Sequence, residues 1–331
     1  DDDDARPPIH PYVSRDMTTT HDATIASLVR RARCVMLEPK CAEKARLTAE
    51  TRDWWRRVRR GETAGDATKG PQTAREDDLD AVVEDPRREI VVTTEPGKTK
   101  RLGKGGTVES RVAILHSLAH IESWAIDLAW DAIQRFGQAR AMPVEFYDDF
   151  VELAADEGRH FDLLSKRLVE YGSAYGALEA HDGLWQTARE TSESLEARLA
   201  VEHAVHEARG LDVLPQTIGK FRRNGDEASA TLLEEVVYPE EITHCAAGLR
   251  WFKYLHARDG DGVDAHSTSG GDGEETETSS VVQAFHAMVR KHFAGALKPP
   301  FNAEARAKAG FTPVWYEPLV EKKREGDEKD I

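Results

Sequence analysis

Cysteine is scarce in this chain. Its 331 residues include three, Cys34, Cys41 and Cys245. They form no Cys-x-x-Cys pair and leave an odd count, which argues against a disulfide framework and a thiolate zinc site and fits a reduced compartment. No apolar run approaches the ~20 residues needed for a membrane-crossing helix. Strand-like sequence is scarce in the stretch 61–106 too, where only EIVVTT (89–94) resembles a strand. An excess of basic charge is also lacking. Lys and Arg number 45 against 60 Asp and Glu, for a net charge of −15, which argues against a large nucleic-acid surface.

That acidity is concentrated. Asp1 to Asp4 supply four acids, and 259–281 supplies seven with no Lys or Arg; without these the remainder carries −4. The acidic segments favour solubility more than they define a partner. The expected location is cytoplasmic. The chain opens on Asp1 rather than methionine, which leaves room for a removed targeting segment.

What is present is helix, so the expected class is all-α. Residues 1–20 read as a flexible lead-in. Ile25, Leu28, Val29, Ala32 and Met36 recur at helical spacing over 21–37, and a second helix is expected from Ala42 to about Arg60. Its end, RDWWRRVRR, sets Trp54 and Trp55 among arginines. Such a cluster can grip nucleic acid, but a helix that buries its tryptophans and solvates its arginines explains it better. Residues 61–106 read as a long surface connector.

From 107 to 256 four helical stripes follow, each interrupted by a carboxylate. Glu122 shares a face with Leu115, Leu118, Ala119, Ala125, Ile126, Ala129 and Ile133 in a helix over 109–136. Glu157 lies among Phe150, Leu153, Ala154, Phe161, Leu164 and Leu168 in a helix over 144–170, with His160 one turn on. A loop at 171–183 either crosses the bundle's length or turns a corner. The third helix is expected to start near Leu184 and run past Glu207, with Gly210 and Pro215 bending or interrupting its continuation to Arg223. Asn224-Gly225 reads as a turn and Asp226 as an N-cap. The fourth helix, about 226–257, carries Glu241 and His244, with Pro239 expected to distort it near the site. The acidic stretch 257–281 reads as a disordered loop. A short helix at 282–295, an irregular arm packed on the bundle to 320 and a tail at 321–331 complete the chain.

In order, the interrupting residues read Glu, Glu-x-x-His, Glu, Glu-x-x-His. The two halves have nearly equal intervals: 35 residues from Glu122 to Glu157 and 34 from Glu207 to Glu241. A carboxylate in an apolar stripe is costly unless paired or bound to metal, and Glu and His at i and i+3 reach one inward point. Glu122, Glu157, His160, Glu207, Glu241 and His244 are therefore candidate ligands of two metal ions. Oxygen and imidazole donors suit two Fe ions, with Mn or a mixed Mn/Fe pair as alternatives. The competing structural reading pairs these glutamates with arginines such as Arg159 or Arg209, or makes the chain a bundle that has lost its metal.

Near them, His203 could be a seventh ligand or an outer hydrogen-bond donor, and Tyr238 could donate to a ligand, although packing roles are the simpler reading of both. His116 and His120 read as structural. Glu202 and His206 should face away, and Glu240 competes with Glu241 as a ligand but lacks a histidine three residues later.

The segments ILHSLAHIESWAIDLAWD (114–131), EFYDDFVELAADEGRHFDLLSKRL (145–168), AHDGLWQTA (180–188), HEARGLDVLP (206–215) and EEITHCAAGLRWFKYL (240–255), with EPKCAEKARLT (38–48) and KPPFNAEARAKAGFTPVWYEPL (298–319), resemble the ferritin-like family catalogued as domain of unknown function 455. The resemblance covers about 25–320, apart from the acidic stretch and an expanded connector near 63–95. It implies a ferritin-like four-helix bundle, with the same six residues as metal ligands. A more distant similarity, in ligand order, is to di-iron tRNA hydroxylases. The function expected is an O2-dependent oxidase or hydroxylase acting on a small-molecule substrate with an external reductant. A ferroxidase or metal-handling protein and a non-catalytic helical scaffold are the alternatives.

Overall fold

The computed structural model describes residues 19–63, 76–89, 94–95, 98, 103–260 and 279–320. The expected lead-in before residue 19, the strand-like stretch apart from Glu89 and Thr94, the acidic segment 261–278 and the tail lie outside these residues. Among the described residues the structure is all-α, without strands; a single bridge joins Leu297 to Val320. No described helix is long and apolar enough to cross a membrane.

Four rods hold the carboxylates. The first is α3, Val108–Asp131, which continues as a π-helical turn at Ala132–Gly137. Thr107 starts it by accepting a hydrogen bond from the Ser110 amide, which satisfies one of the donors a helix start leaves open. The second is α4, Val144–Glu170, where every stripe residue named above is buried. The third is broken. A short α5, Gly183–Glu190, is separated from α6, Leu195–Ala200; a π turn at Val201–His206 then leads into α7, Glu207–Arg223. The fourth comprises α8, Glu227–Leu232, a π turn at Leu233–Val237 and α9, Tyr238–Asp259. Asp226 caps α8 through the Ser229 amide.

Two expectations about the third rod need correction. It is not continuous from Leu184, because Arg198 occupies the break at 191–194. This guanidinium donates to the Ala188 carbonyl at 2.7 Å and Thr191 Oγ1 at 2.9 Å, closing the end of α5. It also pairs with buried Asp131 at 2.5 Å. Of the bend or interruption expected at Pro215, the interruption is not found, because α7 runs unbroken through it. Proline cannot donate to the carbonyl four residues back, but that carbonyl, on Leu211, accepts from the Asn302 side-chain amide at 3.1 Å. Pro239 does coincide with a distortion, the π turn that ends just before it.

Contacts along α3 settle the course of the 171–183 loop. Tyr171 lies by Arg111 at 3.5 Å; Gly176 donates to His116 at 3.0 Å; the His181 carbonyl meets His120 at 2.9 Å; Trp185 stacks on Trp124 with ring centroids 5.8 Å apart. Arg198 then reaches Asp131. The chain therefore travels the length of α3 before α6 begins. As a result α7 runs parallel to α4, and α9 returns beside α3's direction, its end tied to the α3–α4 corner through Arg140 and Asp259.

The flanking elements cover this core. The first helix, α1 (Thr19–Leu37), packs on α3, and α2 (Cys41–Arg59) packs on α4. Trp54 and Trp55 are buried in α2, while Arg56 pairs with Glu152 and Arg59 with Asp148. The arm carries α10 (Ser280–His292), α11 (Ala303–Lys308) and α12 (Pro313–Tyr316) across α9. Buried Arg306 pins it through two bonds to Asp212, at 2.9 and 2.7 Å.

Candidate metal centre

All six sequence-selected residues converge between the four rods. Ligand atoms fall into two groups, Glu122, Glu157, His160 and Glu241, and Glu157, Glu207, Glu241 and His244, with the atoms in each lying within 4.8 Å of one another. Glu157 and Glu241 belong to both groups. Glu122 with His160, and Glu207 with His244, complete one group each. The repeat seen in the sequence is thus a spatial repeat. All six are buried except Glu207, which is half-buried.

The two imidazoles present the same nitrogen inward. His160 Nδ1 lies 3.4 Å from Glu157 Oε2 and 3.7 Å from Glu122 Oε2. His244 Nδ1 lies 3.0 Å from Glu157 Oε1 and 4.0 Å from Glu241 Oε2. Neither Nδ1 has a hydrogen-bond partner, and neither has Glu157 Oε2. Leaving such buried groups unsatisfied costs about 1–3 kcal/mol each, and an ion is one explanation for them. No lysine or arginine pairs with the four glutamates among the described residues. Arg159 pairs instead with Asp156 and Glu240, and Arg209 with Asp212. The arginine-paired reading is therefore not the arrangement found.

The electrostatics have the same sense. Burial, and then the charge of Glu157, hold Glu122 and Glu241 well above the ordinary carboxylate range. The same two causes push Glu207 up to about 7. Burial opposes charge on Glu157 as well, but His244 and His160 outweigh it and hold that carboxylate low. Burial also opposes charge on both histidines, but the carboxylates outweigh it and raise them. Four carboxylates cannot all ionise in this space on two imidazoles alone; divalent cations would supply the missing positive charge. The donor set of four carboxylates and two imidazoles fits oxygen- and nitrogen-preferring divalent metals.

Sequence reasoning missed an outer layer. His160 Nε2 contacts Glu240 Oε2 at 2.7 Å, and His244 Nε2 contacts Asp156 Oδ2 at 3.4 Å. Each imidazole is oriented by a carboxylate on the opposite helix, leaving Nδ1 free to face inward. Glu240, first read as a competing ligand, thus serves the outer side of His160. The signal was present as an acid directly before each Glu-x-x-His, giving Asp156-Glu157 and Glu240-Glu241.

The other candidates lie elsewhere. His203 is fully buried with neither ring nitrogen paired; burial, and then Arg198, push it down to about 3, so the ring is neutral. It joins neither group. The Tyr238 hydroxyl accepts from the Asn302 amide at 2.6 Å, tying it to the arm. Glu202 and His206 pair with each other at 2.8 Å. His116 and His120 anchor the crossing loop. Gly248 allows the third and fourth rods to meet, because a Cβ there would lie 1.8 Å from the His203 carbonyl oxygen.

A family model described as "Protein of unknown function (DUF455)" matches residues 37–317. An "Uncharacterized protein" of Haemophilus influenzae (strain ATCC 51907 / DSM 11121 / KW20 / Rd) is 33% identical over 210 residues, which is 62% of this chain and 66% of that protein, just under two thirds. No solved structure matches.

Proposed function

We propose that this chain, which belongs to the family described as Protein of unknown function (DUF455), is a ferritin-like two-metal carboxylate protein that uses iron and dioxygen to oxidise a small organic substrate. The observation that carries this reading is the pair of interlocking ligand groups sharing Glu157 and Glu241. Two helical hairpins joined by one long crossing connection are also the topology of ferritin-like bundles, and Glu plus Glu-x-x-His from each half is their ligand pattern.

In this assignment Glu157 and Glu241, which belong to both groups, would serve both metal positions. Glu122 and His160 complete one position, and Glu207 and His244 the other. The bound pair supplies redox chemistry toward dioxygen, which protein side chains lack. The chain's own residues set the conditions for it. Asp156 and Glu240 hold the imidazoles in the tautomer that leaves Nδ1 a lone pair. Leu115, Phe150, Leu153 and Phe161, on the helical stripes that carry Glu122 and Glu157, are buried from solvent. Half-buried Glu207 marks the side from which a small substrate approaches, and Gly210 leaves the Glu241 carboxylate uncovered by any side chain of its own. The reducing electrons come from an external one-electron donor.

Anaerobic loading with Fe(II), followed by oxygen, tests this reading. It predicts oxygen consumption and a new visible absorption band that Glu157→Ala lacks. Metal uptake with no oxygen consumption would leave metal handling as the function; no uptake would favour a helical scaffold.

A further inference from the structure

We propose that Arg159 couples the two metal positions, so that filling one prepares the other. This rests on the two-metal reading above. Arg159 lies between Glu157 and His160 on α4, pointing away from the ligands. Its Nη2 donates to Asp156 Oδ1 at 3.1 Å and to Glu240 Oε2 in a closer contact. Those carboxylates each serve a different half of the site: Glu240 holds His160 and Asp156 holds His244. One guanidinium nitrogen therefore closes a chain that runs His160, Glu240, Arg159, Asp156, His244, crossing between α4 and α9 three times.

The chemistry of each link explains the coupling. Asp156 and Glu240 are like charges on facing helices, both held by the same Arg159 nitrogen. A cation between them offsets their like charge, and the two N–H groups of Arg159 Nη2 lie at a fixed angle in the guanidinium plane, one for each carboxylate. A metal on His160 Nδ1 fixes that ring, hence the direction of its Nε2–H, hence Glu240. With Glu240 fixed, Arg159 is fixed, and Asp156 can accept from His244 in one orientation only. The ordering cost of the second histidine is thus met when the first metal binds, which is positive cooperativity carried by conformational restriction. Coupling runs equally in both directions, as linkage requires. Asp156 and Glu240 are mostly buried, with side-chain exposures of 14% and 16%, whereas Arg159 is 39% exposed. Substituting Arg159 therefore removes the coupling without opening a hole in the core.

Mn(II) titration followed by electron paramagnetic resonance tests this, since spin-coupled pairs and isolated ions give different spectra. At half an equivalent of Mn(II) per site, wild type should hold mostly coupled pairs alongside empty protein. Arg159→Gln should hold mostly isolated ions, with the second dissociation constant weakened relative to the first by about 5- to 150-fold, the usual span of coupling between sites. Arg159→Lys keeps the charge but not the fork and should fall between them, and it serves as the reporting variant if Arg159→Gln does not fold. Coupled pairs in Arg159→Gln at sub-stoichiometric Mn(II) overturn the coupling and leave the two-metal reading standing. Wild type that binds no Mn(II) or Fe(II) overturns both.

Discussion

Gly248→Ala is a small change with a large expected effect. The added Cβ would sit 1.8 Å from His203 O, 2.4 Å from its carbonyl carbon and 3.0 Å from its Cβ. Carbon-to-oxygen contacts close at about 3.3 Å, so α9 and the π turn before Glu207 must part by roughly 1.5 Å. Both sides of the clash involve backbone, which has no rotamer with which to escape. Overpacking of this kind costs about 1–3 kcal/mol, and this site belongs at the upper end. Alanine's better helix propensity returns about 1 kcal/mol, leaving a net loss of about 2 kcal/mol. At about 2.1 cal/mol/K of unfolding entropy per residue, this corresponds to roughly 3 °C in melting temperature for 331 residues. Urea denaturation of the metal-free protein measures the loss directly. The displaced turn runs straight into Glu207, so metal affinity should fall as well. A Gly248→Ala protein as stable as wild type, with unchanged metal affinity, would refute the close approach on which the geometry of the site depends.

Other expectations follow from individual contacts. Asn302→Ala should cost about 1–3 kcal/mol by orphaning the Leu211 carbonyl, and Pro215→Ala should recover part of that loss by restoring the helical donor; chemical denaturation of the double-mutant cycle measures both. Arg306→Ala removes the two close bonds to buried Asp212 and leaves it only the Asn302 amide at 2.8 Å and Arg209 at 3.8 Å; the loss should approach, without reaching, the about 3–5 kcal/mol of a fully unpaired buried charge, with the arm becoming protease-sensitive. Stability of the metal-free protein should fall as pH rises from near 4.5 to about 7. In that window the folded state keeps protons on Glu207, Glu122 and Glu241 that the unfolded chain releases, and the raised His160 and His244 add to the fall only above about 6.5, where the unfolded imidazole titrates. His203, pushed down to about 3, and His120, pushed down to about 4, oppose this up to about 6.5 because the unfolded imidazoles bind protons there that the folded ones do not, and Glu157, held low, acts only below about 4.5. Bound divalent metal should reverse the slope, because these groups then bind metal instead of protons. Thermal melts across that range, with and without Mn(II), show the sign.

The four carboxylate stripes were legible in the sequence because a buried helical face leaves a period of 3.6, and a glutamate within it has few explanations. The helix bounds at 144–170 and the cap at Asp226 were legible for similarly local reasons. What was not legible depends on partners distant in sequence. Pro215 is harmless only because Asn302, 87 residues later, supplies a donor. The third rod breaks at 191–194 because Arg198 finds Asp131 on another helix. The 171–183 loop was open to two courses until His116, His120 and Trp124 fixed it along α3. The outer layer of the site was half-visible: Asp156 and Glu240 precede the two Glu-x-x-His motifs, but each serves the histidine of the other motif, and that crossing exists only in three dimensions.

The central claim is that Glu157 is shared by two metal positions. Metal content per chain, measured on wild type and Glu157→Ala after anaerobic Fe(II) loading and removal of free metal, tests it most directly. The account predicts two irons per wild-type chain and loss of stable loading at both positions in the variant. Two irons retained by Glu157→Ala would contradict it.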